Sequence, residues 1–206
     1  MSTGAAEGSG PDRPWAIVLA AGEGRRMGVP KALLRHAGAQ SFLARLAAMF
    51  EEASCRVVAV VGAEAERVQA AHPNVHAVVN PRWTEGQLSS VHVGLEAALK
   101  GGAHLVLIHP VDMPELRAET VVKLCRAAAG EGAFPIFDGQ PGHPLVLTAA
   151  GAREVLKADA DTLADATFRM HLQSVDVPDP GTVVNFNTPD VYERVFGARP
   201  AAVDGK

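Results

Sequence analysis

Cysteine is scarce: Cys55 and Cys125 are the two in 206 residues. They lie far apart, and neither has a CxxC partner or a histidine at zinc-binding spacing, which excludes a sequence-encoded zinc site. Both are expected to be reduced and partly buried, Cys55 at the start of a strand and Cys125 within a helix. Long apolar runs are missing too. No stretch approaches the ~20 residues that span a bilayer, so no membrane association is expected. The first fourteen residues, rich in Gly, Ser, Ala and Pro, lack the apolar core of a signal peptide, and the expected location is the cytoplasm. Positive charge is in deficit, with 19 Lys and Arg against 23 Asp and Glu and a net charge of −4. Nucleic acid and anionic membrane need an extended basic face, so a small anionic ligand is the better partner. No repeat or low-complexity linker divides the chain. One domain is expected over residues 15–197, with a disordered lead at 1–14 and a flexible tail at 198–206.

What is present is an alternation of short apolar runs and amphipathic stretches. Strands are expected at residues 16–20, 56–61, 75–79 and 105–108. Helices are expected from Ser41, which can cap a face of Phe42, Leu43, Leu46, Ala47 and Phe50, and at 64–71, 89–100 and 117–129. This rhythm implies a parallel sheet with helices on both faces. The last third breaks it: residues 134–137, 145–147 and 175–177 read as strands of a smaller, partly antiparallel section, followed by a late strand at 182–184 and a closing helix at 190–196.

In open α/β sheets ligands bind beyond the carboxyl ends of the strands, and the chemically loaded loops fall there. The first, within WAIVLAAGEGRRMGVPKALL (residues 15–34), is glycine-rich and cationic, a way to offer backbone N–H groups and charge to phosphate. It is not a P-loop: Lys31 precedes Ala32, so the hydroxyl that holds magnesium is missing. Nor does it fit a dinucleotide fingerprint, since Gly22, Gly24 and Gly28 give GxGxxxG and the first acid near the second strand, Glu64, is too distant. The other loaded loops are residues 80–90, Asp112, and 185–190.

LAAGEGRRMGVPK resembles the signature of the sugar-nucleotide-transferase-like nucleotidyltransferases. NPRWTEGQLSSVHVGL (residues 80–95), PVDMP (110–114), GHPLVL (142–147) and NFNTPD (185–190) are similar, in the same order, to the nucleotide, metal, acceptor and closing motifs of the MobA-like branch that serves molybdenum cofactor maturation. The resemblance implies a three-layer α/β/α Rossmann-like, GT-A-like fold with a mostly parallel mixed sheet. It implies transfer of a nucleotidyl group from a nucleoside triphosphate to a phosphorylated small-molecule acceptor such as molybdopterin, CMP favoured over GMP, with release of pyrophosphate. A molybdoenzyme or maturation protein is the implied partner. The same fold with a sugar 1-phosphate acceptor is a second reading, and a non-catalytic nucleotide-binding or chaperone-like protein a third.

By this resemblance Leu19, Ala20, Ala21 and Gly22 border the base, Gly24 lets the loop approach the phosphates, and Arg26 and Lys31 face the triphosphate, where they offset charge shifting to pyrophosphate. Asn80, Gly86, Ser89 and Ser90 belong to the second nucleotide segment. The two serines suit a ribose or base hydrogen bond and a helix cap equally. Asp112 is the expected ligand of Mg2+, which is held typically by one or two carboxylates plus substrate phosphates. His143 is assigned to the acceptor. Asn185 and Asn187 stand where some relatives carry Asp: they offer neutral oxygens, orient the acceptor or brace the loop. Arg25 sits at a variable position, and His109 receives no role.

Overall fold

The computed structural model describes residues 13–37 and 40–203. In chain order the elements are β1 (Trp15–Ala20), α1 (Phe42–Glu52), β2 (Arg56–Val61), α2 (Ala65–Ala71), β3 (Ala77–Val79), α3 (Gln87–Lys100), β4 (Leu105–Pro110), α4 (Ala118–Ala127), β5 (Gly132–Phe137), β6 (Gln140–Pro141), β7 (Leu145–Thr148), α5 (Ala149–Lys157), α6 (Leu163–Thr167), β8 (Leu172–Asp176) and α7 (Pro189–Phe196). The main sheet runs β3-β2-β1-β4-β7 and a second sheet runs β6-β5-β8. The first four strands of the main sheet are parallel, and β7 runs antiparallel to β4 with Leu145 opposite Ile108.

Strand β1 shows why the sheet is covered twice. Ala16, Val18 and Ala20 join one apolar cluster with Phe42, Leu46 and Phe50 of α1. Ile17 and Leu19 join the other with Val91 and Leu95 of α3. Successive strand residues point to opposite faces, so an unbroken apolar run is what a sheet buried on both sides requires. The result is the expected mostly parallel mixed sheet between helical layers. Ser41 caps α1 as expected, its Oγ accepting from Ala44 N at 3.0 Å. Its hydroxyl is also bonded to His72 Nε2 at the end of α2, while His72 Nδ1–H donates to the Val68 carbonyl at 2.8 Å.

Several expectations are corrected. Residues 182–184 form no strand; Pro180–Thr182 is a 3-10 turn. Buried Asp179 holds it by accepting from Gly181 N, Arg117 N and Thr120 Oγ1. The run at 145–147 belongs to the main sheet, and two helices, α5 and α6, follow it unforeseen. The expected lead is tied down at its last residues, since Arg13 Nη2 donates to the Cys55 carbonyl at 2.8 Å and Arg56 N to that of Pro14; residues 1–12 lie outside the described residues. The expected tail is held at 201–203, where Arg35 N donates to Ala201 O and Val203 N to Leu33 O; residues 204–206 lie outside the description. The cysteines are distant in sequence, yet the influence of Cys125 together with burial pushes the Cys55 thiol up, and Cys55 Sγ donates to the Ala53 carbonyl at 3.8 Å. Among the described residues no helix is long and apolar enough to cross a membrane.

Candidate functional site

Two clefts open at the carboxyl end of the parallel strands. The first, about 440 Å³, is bordered by Leu19, Ala20, Ala21, Gly22 and Gly24, by Arg25, Arg26 and Lys31, by Trp83, Thr84, Gly86, Gln87 and Ser90, and by Pro110, Val111 and Asp112. The second, about 350 Å³, lies between Gln140–His143, Thr182, Val183, Asn185, Asn187 and the same Gln87, Pro110 and Asp112. Asp112 therefore stands on a wall common to both.

The direction of β7 makes this possible. Because it runs against β4, the residues before it, Gly142, His143 and Pro144, arrive at the end of the sheet from which Asp112 leaves. Gly142 has no room for a side chain, since a Cβ would strike the Thr182 carbonyl. His143 N donates to that carbonyl at 2.8 Å. The first loop is shaped by Gly24, whose φ of 68° is left-handed and whose Cβ position is blocked by the Val29 carbonyl.

The closing motif is anchored by its apolar centre. Phe186 is fully buried and packs edge-on to Phe42 at 5.4 Å between ring centroids. It is stacked with Phe196 of α7 at 5.2 Å. Asn185 and Asn187, on either side of it, line the second cleft. Phe186 N donates to the Asp112 carbonyl at 2.8 Å, which fixes the metal-type loop to the closing motif.

At the junction Lys31 Nζ donates to Asp112 Oδ2 at 2.6 Å and to Asn187 Oδ1, and Asn187 Nδ2 donates to Asn185 Oδ1 at 2.8 Å. Thus Asp112 and Asn187 oxygens already converge on one positive centre. Among the described residues no group of three or more His, Cys, Asp or Glu side chains forms a ready-made cage. A single carboxylate with neutral oxygens beside a cleft lined by Arg25, Arg26 and Lys31 suits a hard divalent cation that takes its remaining ligands from phosphate and water.

The placement of the expected residues is uneven. Leu19 through Gly22, Gly24, Arg26, Lys31, Gly86, Ser90 and Asp112 are brought together on the first cleft. Asn80 and Ser89 do not face it. Asn80 is fully buried, its Nδ2 donating to Ser89 Oγ and Ser90 Oγ and its Oδ1 accepting from Arg82 N. Ser89 Oγ turns to the carbonyls of Arg82 and Gly86. The serines are not caps either, for α3 begins at Gln87 with Gly86 as its cap. Arg25 is exposed and paired with Glu23. His143 lines the second cleft, but its Nδ1 is buried without a partner. Burial lowers its pKa, while the Asp112 charge and the Ile108 carbonyl oppose the shift. Trp83, Thr84 and Gln87 also border the first cleft, though the sequence motifs assign them no role. The signal was an aromatic residue at a strand's carboxyl end in a chain with two tryptophans.

Comparison with known proteins shows the family and the fold. Residues 16–176 match the MobA-like NTP transferase domain. The molybdenum cofactor guanylyltransferase of Xanthomonas euvesicatoria is 30% identical over 197 residues, covering 91% of this chain and 97% of its own length. A protein of Rhodopirellula baltica named "Probable molybdenum cofactor guanylyltransferase" is 34% identical over 116 residues, and the match spans only 54% of each chain. Among solved structures, a nucleotidyl transferase from Methanothermobacter superposes with a TM-score of 0.76 at 23% identity, over 90% of this chain and 96% of its own. Rv0371c of Mycobacterium tuberculosis, solved in complex with manganese, gives 0.66 at 20% identity, over 90% and 99%. At these identities the structures establish the fold.

Proposed function

The chain belongs to the MobA-like NTP transferase family, and from that premise we propose that it transfers GMP from GTP to the phosphate of a molybdopterin-type acceptor, releasing pyrophosphate. The observation that carries this reading is Asp112 on the wall shared by the two clefts. One cleft suits the triphosphate and the other the acceptor, so the reacting oxygen and phosphorus would meet beside the same carboxylate. The expectation of CMP takes second place, because the relative aligned over 91% of this chain is named a guanylyltransferase.

The reaction needs positioning and charge neutralisation more than proton transfer. An acceptor phosphomonoester has its second pKa near about 6 and is largely dianionic at neutral pH. Its oxygen attacks the α-phosphorus as the bond to the β-phosphate oxygen breaks, and the electron pair leaves with pyrophosphate. The backbone of Leu19–Ala21 and the Trp83 segment border the nucleoside, while Arg26 and Lys31 offset the charge that moves to the leaving group. Lys31 leaves Asp112 for the phosphates as they enter. A divalent cation, Mg2+ in this proposal, would be held by Asp112 with an Asn187 oxygen nearby and would supply Lewis-acid stabilisation of the phosphoryl oxygens.

The test is a thermal-shift comparison of GTP, CTP, ATP and UTP with Mg2+, followed by pyrophosphate release with molybdopterin and with sugar 1-phosphates. A ligand at 100 times its dissociation constant stabilises by about 2.7 kcal/mol, so the true donor stands apart. GTP selection with molybdopterin-dependent release is expected. CTP selection overturns the choice of base, and turnover with sugar 1-phosphates alone overturns the choice of acceptor.

A further inference from the structure

His109 is the penultimate residue of β4, three residues before Asp112, and is fully buried. Its ring meets Phe50 of α1 edge-on at 5.7 Å and the His143 ring edge-on at 6.4 Å. Its Nε2 lies 2.9 Å from the Met113 carbonyl. A carbonyl only accepts, so Nε2 carries the proton and Nδ1 is a bare acceptor, which is buried without a partner. Leaving a buried acceptor unpaired is destabilising. Stability alone does not account for an imidazole here, where an apolar side chain would fill the same space.

The loop it touches has few ways to hold itself. Pro110 and Pro114 have no N–H to give. Val111 N donates to the Leu19 carbonyl at 3.1 Å, Met113 N to Pro110 O at 3.3 Å, and the Asp112 carbonyl accepts from Phe186 N at 2.8 Å. The next peptide, Met113–Pro114, is held through its carbonyl by His109 Nε2–H. Of these four bonds, that of His109 is the one made by a side chain. We propose that His109 is a positioning residue, whose buried imidazole clamps the Met113 carbonyl and so sets the aim of the Asp112 carboxylate at the junction of the two clefts. This rests on the nucleotidyl-transfer reading of that junction. Groups that orient a metal ligand without touching the metal typically alter affinity or rate by about 10–100-fold when removed, and a misplacement of about 1 Å can cost a hundredfold in rate.

The experiment compares His109→Met, which fills the volume without a donor, with His109→Gln, whose amide Nε2 can reach the same carbonyl. Mn2+ binding is titrated by electron paramagnetic resonance with saturating GTP and no acceptor, and kcat and the KM for GTP are measured separately. In the wild type, imidazole 15N shifts give the His109 tautomer, a readout that needs no variant to fold. The expected results are an Nε2–H tautomer at neutral pH, about 10–100-fold losses in Mn2+ affinity and kcat for His109→Met with KM for GTP little changed, and recovery to within about threefold in His109→Gln. An Nδ1–H tautomer, wild-type values in His109→Met, or equal impairment of the two variants overturns the assignment. If wild-type protein shows no nucleotide-dependent Mn2+ binding, the nucleotidyl-transfer reading itself fails and the positioning role falls with it.

Discussion

Lys31 Nζ and Asp112 Oδ2 lie 2.6 Å apart, joined across 81 residues of sequence. Their side chains are 20% and 15% exposed, so the pair is screened less than a surface ion pair and more than a buried one. The ammonium competes for the carboxylate that a divalent cation would use. Replacing Lys31 with Met is therefore expected to tighten Mn2+ binding several-fold when no nucleotide is present, while turnover falls because the triphosphate loses a cation. Titration of Mn2+ without nucleotide decides it: unchanged or weaker binding refutes the competition.

Asp112→Asn keeps the shape of the side chain and removes its charge. Nucleotidyl transfer is expected to fall by about 10²–10³-fold, the scale seen when one preorganised electrostatic contact is removed, with little change in the unfolding midpoint. Full activity in this variant would remove Asp112 from the reaction.

Asn80→Ala tests a residue that the resemblance assigns to nucleotide binding and that lies buried behind the first cleft. Loss of the amide leaves Ser89, Ser90 and Arg82 N short of partners in a buried region. A loss of about 2 kcal/mol or more in unfolding free energy is expected, from several hydrogen bonds at about 0.5–1.5 kcal/mol each. Nucleotide affinity should fall as the loop that carries Trp83 loosens. Urea denaturation and a nucleotide titration read the two effects, and unaltered stability would contradict the bracing role.

Gly142→Ala places a methyl group against the Thr182 carbonyl. The turn at Pro180–Thr182 must shift, at a cost of about 1–3 kcal/mol typical of overpacking. The second cleft is lined on one side by this turn, so kcat/KM for the acceptor should drop more than that for the nucleotide. Equal losses for both substrates would argue against two separate clefts.

Burial pushes the His109 pKa down to about 3 and also lowers that of His72. An unfolded histidine titrates near about 6.5, so between these values the unfolded chain binds protons that the folded protein refuses. Stability is then fully present above about pH 6.5 and is lost as pH falls through the window below it, with a slope approaching about 1.4 kcal/mol per pH unit for His109 and a further contribution of the same sign from His72. For His72 the cause is burial, which disfavours the charged ring and outweighs the opposing pull of the Val68 carbonyl. Denaturation curves at pH 7.5, 6 and 5 measure the effect, and a His72→Leu variant should show a flatter profile. An unchanged profile would place the acid sensitivity elsewhere.

Much of this was legible in the residues, and the reasons for the rest are specific. The capped helix at Ser41 and strand β1 were visible because local spacing decides them. The loops around Asp112 and Gly22–Lys31 were visible because polar residues gathered where apolar runs end. The direction of β7 was not, since Leu145-Val146-Leu147 reads the same whichever way it pairs. Nor was the role of Asn80, whose partners lie nine and ten residues on and depend on how the loop folds back. The meeting of Cys55 with Cys125 depends on the packing of whole elements, a relation that no spacing encodes.

The pairing of residues 33–35 with 201–203, together with the bonds from Tyr192 Oη to the Arg35 carbonyl and from Lys31 to Asn187, ties the first cationic loop to the last described segment of the chain. During synthesis, the ribosome makes Lys31 long before the residues that steady it. A nascent chain can assemble the parallel strands, yet its first cationic loop stays without these supports until translation has passed residue 203. The loop is thus steadied only after the distant residues that support it have been made and have folded back.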